Sequence, residues 1–177
     1  MLAGGAGCGG EKAAEFNTFS RYGFSFDYPK SLTVHYEEGA NETGIVEAST
    51  ATDFGEECEL FRVVWRGNAD QKWDIPQLTG ILDGLLQSLE QFGDYETDEP
   101  QATIHGERYV LYQYYTRHPY SATEEDYSEY GVAGVFYCEE NQRMYVLQME
   151  CNTDEGKLGT VDRFKRYLES FVCYDPG

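Results

Sequence analysis

Strands that come in runs, one leucine stripe at helical spacing and a short amphipathic segment near the end predict an α+β domain, an antiparallel β-sheet flanked by helices. Runs of strands that do not alternate one by one with helices argue against a parallel βαβ core. At 177 residues the chain suits one domain, large enough to bury most of its apolar surface. Residues 1–17 read as a flexible N-terminal tether and 18–177 as the domain.

The elements follow in order. Arg21 to Pro29 carries aromatics at Tyr22, Phe24, Phe26 and Tyr28 with small or polar residues between, a period-two strand with one buried face. Pro29 ends it, and Leu32 to Tyr36, Gly44 to Thr50 and Glu59 to Trp65 are expected as three more strands before any helix. Asp74 is placed to cap a helix with Pro76 in its first turn. Its stripe runs through Leu78, Ile81, Leu82, Leu85, Leu86, Leu89 and Phe92, with Gly93 as the stop. Ala102 to His105 and Glu107 to Thr116 follow as strands, then a polar loop from Arg117 to Tyr130. A hairpin of Gly131 to Cys138 and Arg143 to Cys151 comes next, turning at Glu-Glu-Asn-Gln and pairing Phe136 with Tyr145. Thr160 to Val172 closes the chain as a helix.

Charge and composition restrict function. The 32 acidic against 13 basic residues give a net charge of −19, which disfavours nucleic acid, because phosphate binding rests on clustered Lys and Arg. An aromatic content of 15% is that of a folded chain, since disordered chains are poor in aromatics. No apolar run approaches the roughly 20 residues of a membrane-spanning helix. The three histidines fall in separate segments without a metal-ligand spacing, and nucleophile-elbow, phosphate-loop and dinucleotide signatures are absent. No cofactor, metal or catalytic residue is expected, and the acidic pairs fall in predicted loops or turns, without the burial or fixed partner that a catalytic carboxylate needs.

The start, Met1 to Gly10 with Cys8 preceded by Ala6-Gly7, is similar to the end of a lipoprotein signal peptide, with Cys8 as the lipidated residue. It departs from that pattern at Gly5 and in lacking an apolar stretch. Setting Cys8 aside leaves Cys58, Cys138, Cys151 and Cys173, which fits two disulfides and an oxidising compartment; the alternative is four buried thiols in a cytosolic protein. In the hairpin, Cys138 and Cys151 share a face at opposite ends, too far apart to bond. If the terminal helix runs back along the second hairpin strand, Cys173 meets Cys138, leaving Cys58 to pair with Cys151.

The segment chosen for recognition is Arg117 to Tyr130, whose Tyr120, Glu124, Glu125, Asp126, Tyr127 and Tyr130 combine aromatic area with charge. It is expected to be an exposed loop or edge. A calcium site there would lack the EF-hand spacing.

Tyr22-Gly-Phe-Ser-Phe-Asp-Tyr-Pro29, the Thr103-Ile-His-Gly106 step, Met144-Tyr-Val-Leu147 and the closing Phe164 to Phe171 resemble the PsbP-like superfamily over about residues 18–172. That resemblance implies an α/β/α sandwich and a binding role. The family spans photosystem II proteins, a Ran-binding import factor, bacterial lipoproteins and secretion-effector chaperones. The expectation is therefore a monomeric, non-catalytic binding or scaffold lipoprotein outside the cytoplasm, held to the membrane only by its lipid and recognising a protein partner or envelope component. An intracellular adaptor or chaperone is the alternative, and an enzyme of unknown type the third.

Overall fold

The computed structural model describes residues 16–50, 59–67, 73–120, 128–152 and 154–175, with no side chains described for 154–159 and 161. Among the described residues every strand pair is antiparallel. The strands described before the first helix are β1 (Phe16–Arg21), β2 (Phe24–Pro29), β3 (Thr33–Gly39), β4 (Thr43–Ser49) and β5 (Glu59–Gly67). Helix α1 (Ile75–Leu89) follows, then β6 (Gly93–Thr97), β7 (Gln101–His105), β8 (Arg108–Pro119), β9 (Glu129–Cys138), β10 (Arg143–Cys151), α2 (Asp154–Ser170) and β11 (Val172–Cys173). The large sheet runs β3-β4-β5-β10-β9-β8-β6, with β7 sharing the edge of β8; β1-β2-β11 make a small second sheet.

The β9–β10 hairpin occupies the middle of the large sheet, and β10 is buried on both faces along nearly its whole length. Tyr145 stands opposite Phe136, their rings 5.4 Å apart. Tyr145, Leu147 and Met149 project into one core, Met144 and Val146 into the other, as the two-residue period requires.

The first core lies between the large sheet, the small sheet and α2, and is built from rings. Phe24 stacks on Phe171 at 5.4 Å and contacts Trp65 at 5.1 Å; Phe61 stacks on Tyr167 at 4.2 Å. Offset and edge-on pairs of this kind add to the area they remove from water. The second core lies under α1, where Leu78, Leu82, Leu86 and Leu89 cover Leu111, Ala133, Val135 and Met144. The expected cap is in place: Asp74 accepts from the Gln77 amide and the Gln77 side chain accepts from the Asp74 amide, an arrangement worth about 0.5–2 kcal/mol.

Several boundaries depart from the sequence reading. Strand β1 begins at Phe16, just inside the stretch assigned to the tether, because Phe19 buries itself against Phe24 and Phe26. Tyr22 and Gly23 are a turn, with φ of 53° and 79°, so the aromatic alternation crosses a hairpin bend that needs the left-handed region. The helix stops at Leu89, and Gly93 opens β6; Phe92 is 54% exposed and off the stripe. Both ends of the segment expected as a loop are strand: β8 continues to Pro119 and β9 starts at Glu129, with Arg117 and Glu129 in an ion pair. Helix α2 starts six residues early, and its expected last residue, Val172, belongs to β11.

Cys138 and Cys173 are joined by a disulfide, their Cα atoms 6.6 Å apart. Strand β11 pairs Cys173 with Phe24, so the bridge fastens the C-terminal strand and the small sheet to the end of β9. The facing turns are also tied together: Asn141 Nδ2 donates to Gly23 O at 2.7 Å, and Arg143 donates to Tyr22 O.

Gly131 sits opposite Tyr115, and a Cβ there would intrude on the Tyr115 ring. Gly131→Ala is expected to lower stability by about 1–3 kcal/mol in urea unfolding. Reducing the disulfide, which spans 35 residues, should cost about 2–4 kcal/mol in the same assay.

Candidate binding site

Helix α1 covers only part of its face of the sheet, and beyond it the same face carries a chain of polar side chains running from strand to strand. Glu47 on β4 pairs with Arg62 on β5, and Arg62 Nη1 donates to Gln148 Oε1 on β10 at 2.9 Å. Gln148 Nε2 donates to Tyr115 Oη at 2.9 Å, and Tyr115 Oη donates to Glu150 Oε1 at 2.6 Å. Arg117 reaches Glu150 at 3.5 Å and pairs with Glu129. Buried polar atoms are stable only when answered in this way. At the outer end, Ser49 Oγ lies 3.1 Å from His35 Nδ1, and His35 Nε2 lies 3.6 Å from Glu47 Oε2. His35 stands at the irregularity in the β3–β4 register and is open to solvent, while Glu47 is engaged by Arg62. His105, on β7, has its pKa lowered by burial and by Arg108. His118, near the end of β8, meets Ser128 Oγ at 3.0 Å.

Of the residues singled out for recognition, the two that are described, Tyr120 and Tyr130, lie apart. Tyr120 is 66% exposed at the end of β8; its hydroxyl donates to Asp94 Oδ1 at 3.0 Å and its amide to Phe92 O at 3.1 Å. Tyr130 instead lines a cavity of about 420 Å³ with Tyr114, Asp98 and Thr160, on the α2 side of the sheet. Tyr114 there has a buried hydroxyl without a hydrogen-bond partner among the described residues, and burial pushes its pKa up to about 12. Glu124, Glu125, Asp126 and Tyr127 lie outside the described residues, as do Cys8 and Cys58. Cys151 is buried, its Sγ 3.2 Å from Thr160 Oγ1. Among the described residues, Cys138, Glu140 and Cys173 bring potential metal ligands within 4.8 Å of one another, and the disulfide removes both thiolates from that set.

One groove was not anticipated. About 790 Å³ opens between the start of α1, the β7–β8 turn and the β9–β10 turn, walled by Trp73, Ile75, Tyr109 and Tyr137 and rimmed by Glu107 and Glu140. Trp73 Nε1 is buried with no hydrogen-bond partner among the described residues; leaving such a donor unanswered costs about 1–3 kcal/mol. Arg108 borders the groove, yet its guanidinium turns to the opposite face, donating to Phe171 O at 3.3 Å and lying over the Phe136 ring at 5.9 Å. Sequence offered one signal for this groove: Tyr109 and Tyr137 occupy strand positions facing away from the aromatic core. Their meeting with Trp73 depends on how α1 lies across the sheet.

No family model matches the chain, and no curated protein matches it. Solved structures do. Cyanobacterial PsbP (CyanoP) from Synechocystis is 14% identical with a TM-score of 0.63, the match covering 96% of this chain and 98% of that one. The Ran-binding protein Mog1p of Saccharomyces cerevisiae is 8% identical with a TM-score of 0.57, covering 92% and 97%. A Pseudomonas aeruginosa protein of unknown function, described as a putative regulator, is 7% identical with a TM-score of 0.51, covering 89% and 96%. At these identities the likeness establishes the fold, which is the PsbP-like α+β fold.

The tyrosines set an alkaline limit. Burial, then the Glu150 charge, holds Tyr115 well above the usual phenol value; burial raises Tyr145, and burial followed by the Glu59 charge raises Tyr167. A phenol whose pKa is raised on folding contributes stability that is complete below the unfolded value, about 10, and lost as pH rises through the folded value. Stability should therefore be flat in this respect to about pH 10 and fall above it. Denaturation at stepped pH, with phenolate absorbance read in parallel, checks this; full phenolate ionisation before unfolding would contradict it.

Proposed function

We propose that this PsbP-like domain is a non-catalytic binding or scaffold module that works as a monomer outside the cytoplasm. In this reading it is secreted or held by a lipid on Cys8, and it recognises a protein partner or envelope component. One observation carries the reading. The charged side chains of the sheet face answer one another across five strands, while the groove at the start of α1 presents rings and a donor unanswered among the described residues. Enzyme sites gather titratable groups around a cleft; here the histidines stand on β3, β7 and β8, near opposite edges of the sheet. The Cys138–Cys173 bridge supports the compartment, because such bonds persist where the surroundings are oxidising. Neighbours sharing the fold include a Ran-binding protein, in keeping with protein recognition.

The test combines anchoring with contact. In the native cell, acyl label should depend on Cys8 and be lost in Cys8→Ser, and non-reducing peptide maps should contain the Cys138–Cys173 link. Photo-reactive residues at positions 109 and 120 should give discrete covalent adducts with envelope proteins. Free thiols in protein from its own compartment would favour the intracellular adaptor, and adducts from neither position would remove the binding role.

A further inference from the structure

The Trp73 groove sets three chemical requirements for an occupant. Trp73 Nε1 needs an acceptor, since its N–H is buried without a partner among the described residues. Glu107 and Glu140, both exposed on the rim, give it a negative charge that favours a cation; Glu140 Oε2 lies 2.8 Å from Cys138 Sγ, a disulfide sulfur with no proton to give. Asp74 adds a third carboxylate at the helix start, already serving as cap. The guanidinium of Arg108, which borders the groove, is committed to Phe171 O, Cys173 Sγ and the Phe136 ring on the other face, which leaves the rim carboxylates without its charge. The third requirement is apolar: Ile75 is 50% exposed beside Tyr109, which is 36% exposed.

A metal ion meets only the second requirement, and a polyamine lacks the acceptor. An acidic or phosphate-bearing ligand is repelled by the rim and by a net charge of −19. A polypeptide in extended form supplies all three, with carbonyls for the indole and alternate side chains for the charged and apolar walls. Cations are stabilised against Trp and Tyr rings, more so where water is thinned out.

We propose that the groove walled by Trp73, Tyr109 and Tyr137 docks an extended, Lys- or Arg-bearing segment of a partner protein. The basic side chain lies against the rings by Glu107 and Glu140, and a backbone carbonyl accepts the Trp73 Nε1 hydrogen bond. This rests on the binding role proposed above and specifies its partner chemistry.

The chain supplies its own reporter. Of its two tryptophans, Trp65 is wholly buried, so a ligand-dependent emission change reports Trp73. A blocked hexapeptide of alternating lysine and leucine is titrated against the disulfide-bonded protein, beside its glutamate–leucine counterpart and spermidine. The lysine peptide is expected to shift Trp73 emission saturably and with strong salt dependence. The shift should vanish in Trp73→Phe, and affinity should fall at least tenfold in Glu107→Gln/Glu140→Gln, with Tyr109→Ser as an independent wall variant and circular dichroism confirming each fold. No response to the lysine peptide, an equal response to the glutamate peptide, full affinity in the double variant, or an identical curve with spermidine would each overturn the assignment. Adducts from position 120 but not 109 in the cell would overturn it while leaving the binding role standing; adducts from neither would remove both.

Discussion

The pairing of β9 with β10 is the constraint on which the rest of the structure depends. Because both faces of β10 are buried, a one-residue slip in this register would exchange the contents of the two cores. It would send Tyr145, Leu147 and Met149 towards α1 and Met144 and Val146 towards the rings beneath the small sheet. The two cores differ in kind, one made largely of rings and the other of leucine and small aliphatics, so neither accepts the other's residues without voids or crowding. The register also determines the chemistry of the outer faces. Gln148 and Glu150 follow Met144 and Val146 along the same side of β10, so the face that begins apolar under α1 becomes polar beyond it. The strand-to-strand network of Glu47, Arg62, Tyr115 and Arg117 is assembled around those two residues.

Much of this was legible because it is local. The hairpin is two period-two runs around one turn, and its pairing of Phe136 with Tyr145 follows from counting outward. Helix α1 announces itself through the Asp74 cap and the leucine spacing. What was not legible depended on neighbours. Strand β6 carries Asp94, Tyr95 and Glu96, with no apolar alternation, and is a strand because the edge of β8 is there to pair with it. The two residues of β11 have no periodicity to read and exist as strand only beside β2. Gly156 and Gly159 lower the helical preference of the first turns of α2, which hid its start. The turn at Tyr22 and Gly23 was concealed because the aromatic alternation carries on through it.

The candidate site was the less readable element, for a geometric reason. Tyr120 and Tyr130 belong to one sequence segment, but the register sends Tyr120 to the end of β8 and Tyr130 to the α2 side, into different surroundings. Trp73, Tyr109 and Tyr137 come from three segments that no linear pattern links, and they meet because α1 crosses the sheet where the β7–β8 and β9–β10 turns open. The bridge between Cys138 and Cys173 was easier, since the hairpin register and the return direction of α2 were enough to bring the two ends together.

The same bridge bears on how the chain responds to being pulled. Under tension applied through its N-terminal segment, load enters at Phe16, whose partner Pro29 lies at the open end of the β1–β2 hairpin, so the hydrogen bonds of that pair break in succession instead of sharing the force. Unravelling proceeds along the chain until it reaches the covalent ring closed by Cys138 and Cys173. The 35-residue separation enclosed there would otherwise contribute roughly 120 Å of extended length at about 3.5 Å per residue. With the bond intact that length is withheld, and β10 and α2 remain inside a loop that stretching alone does not lengthen.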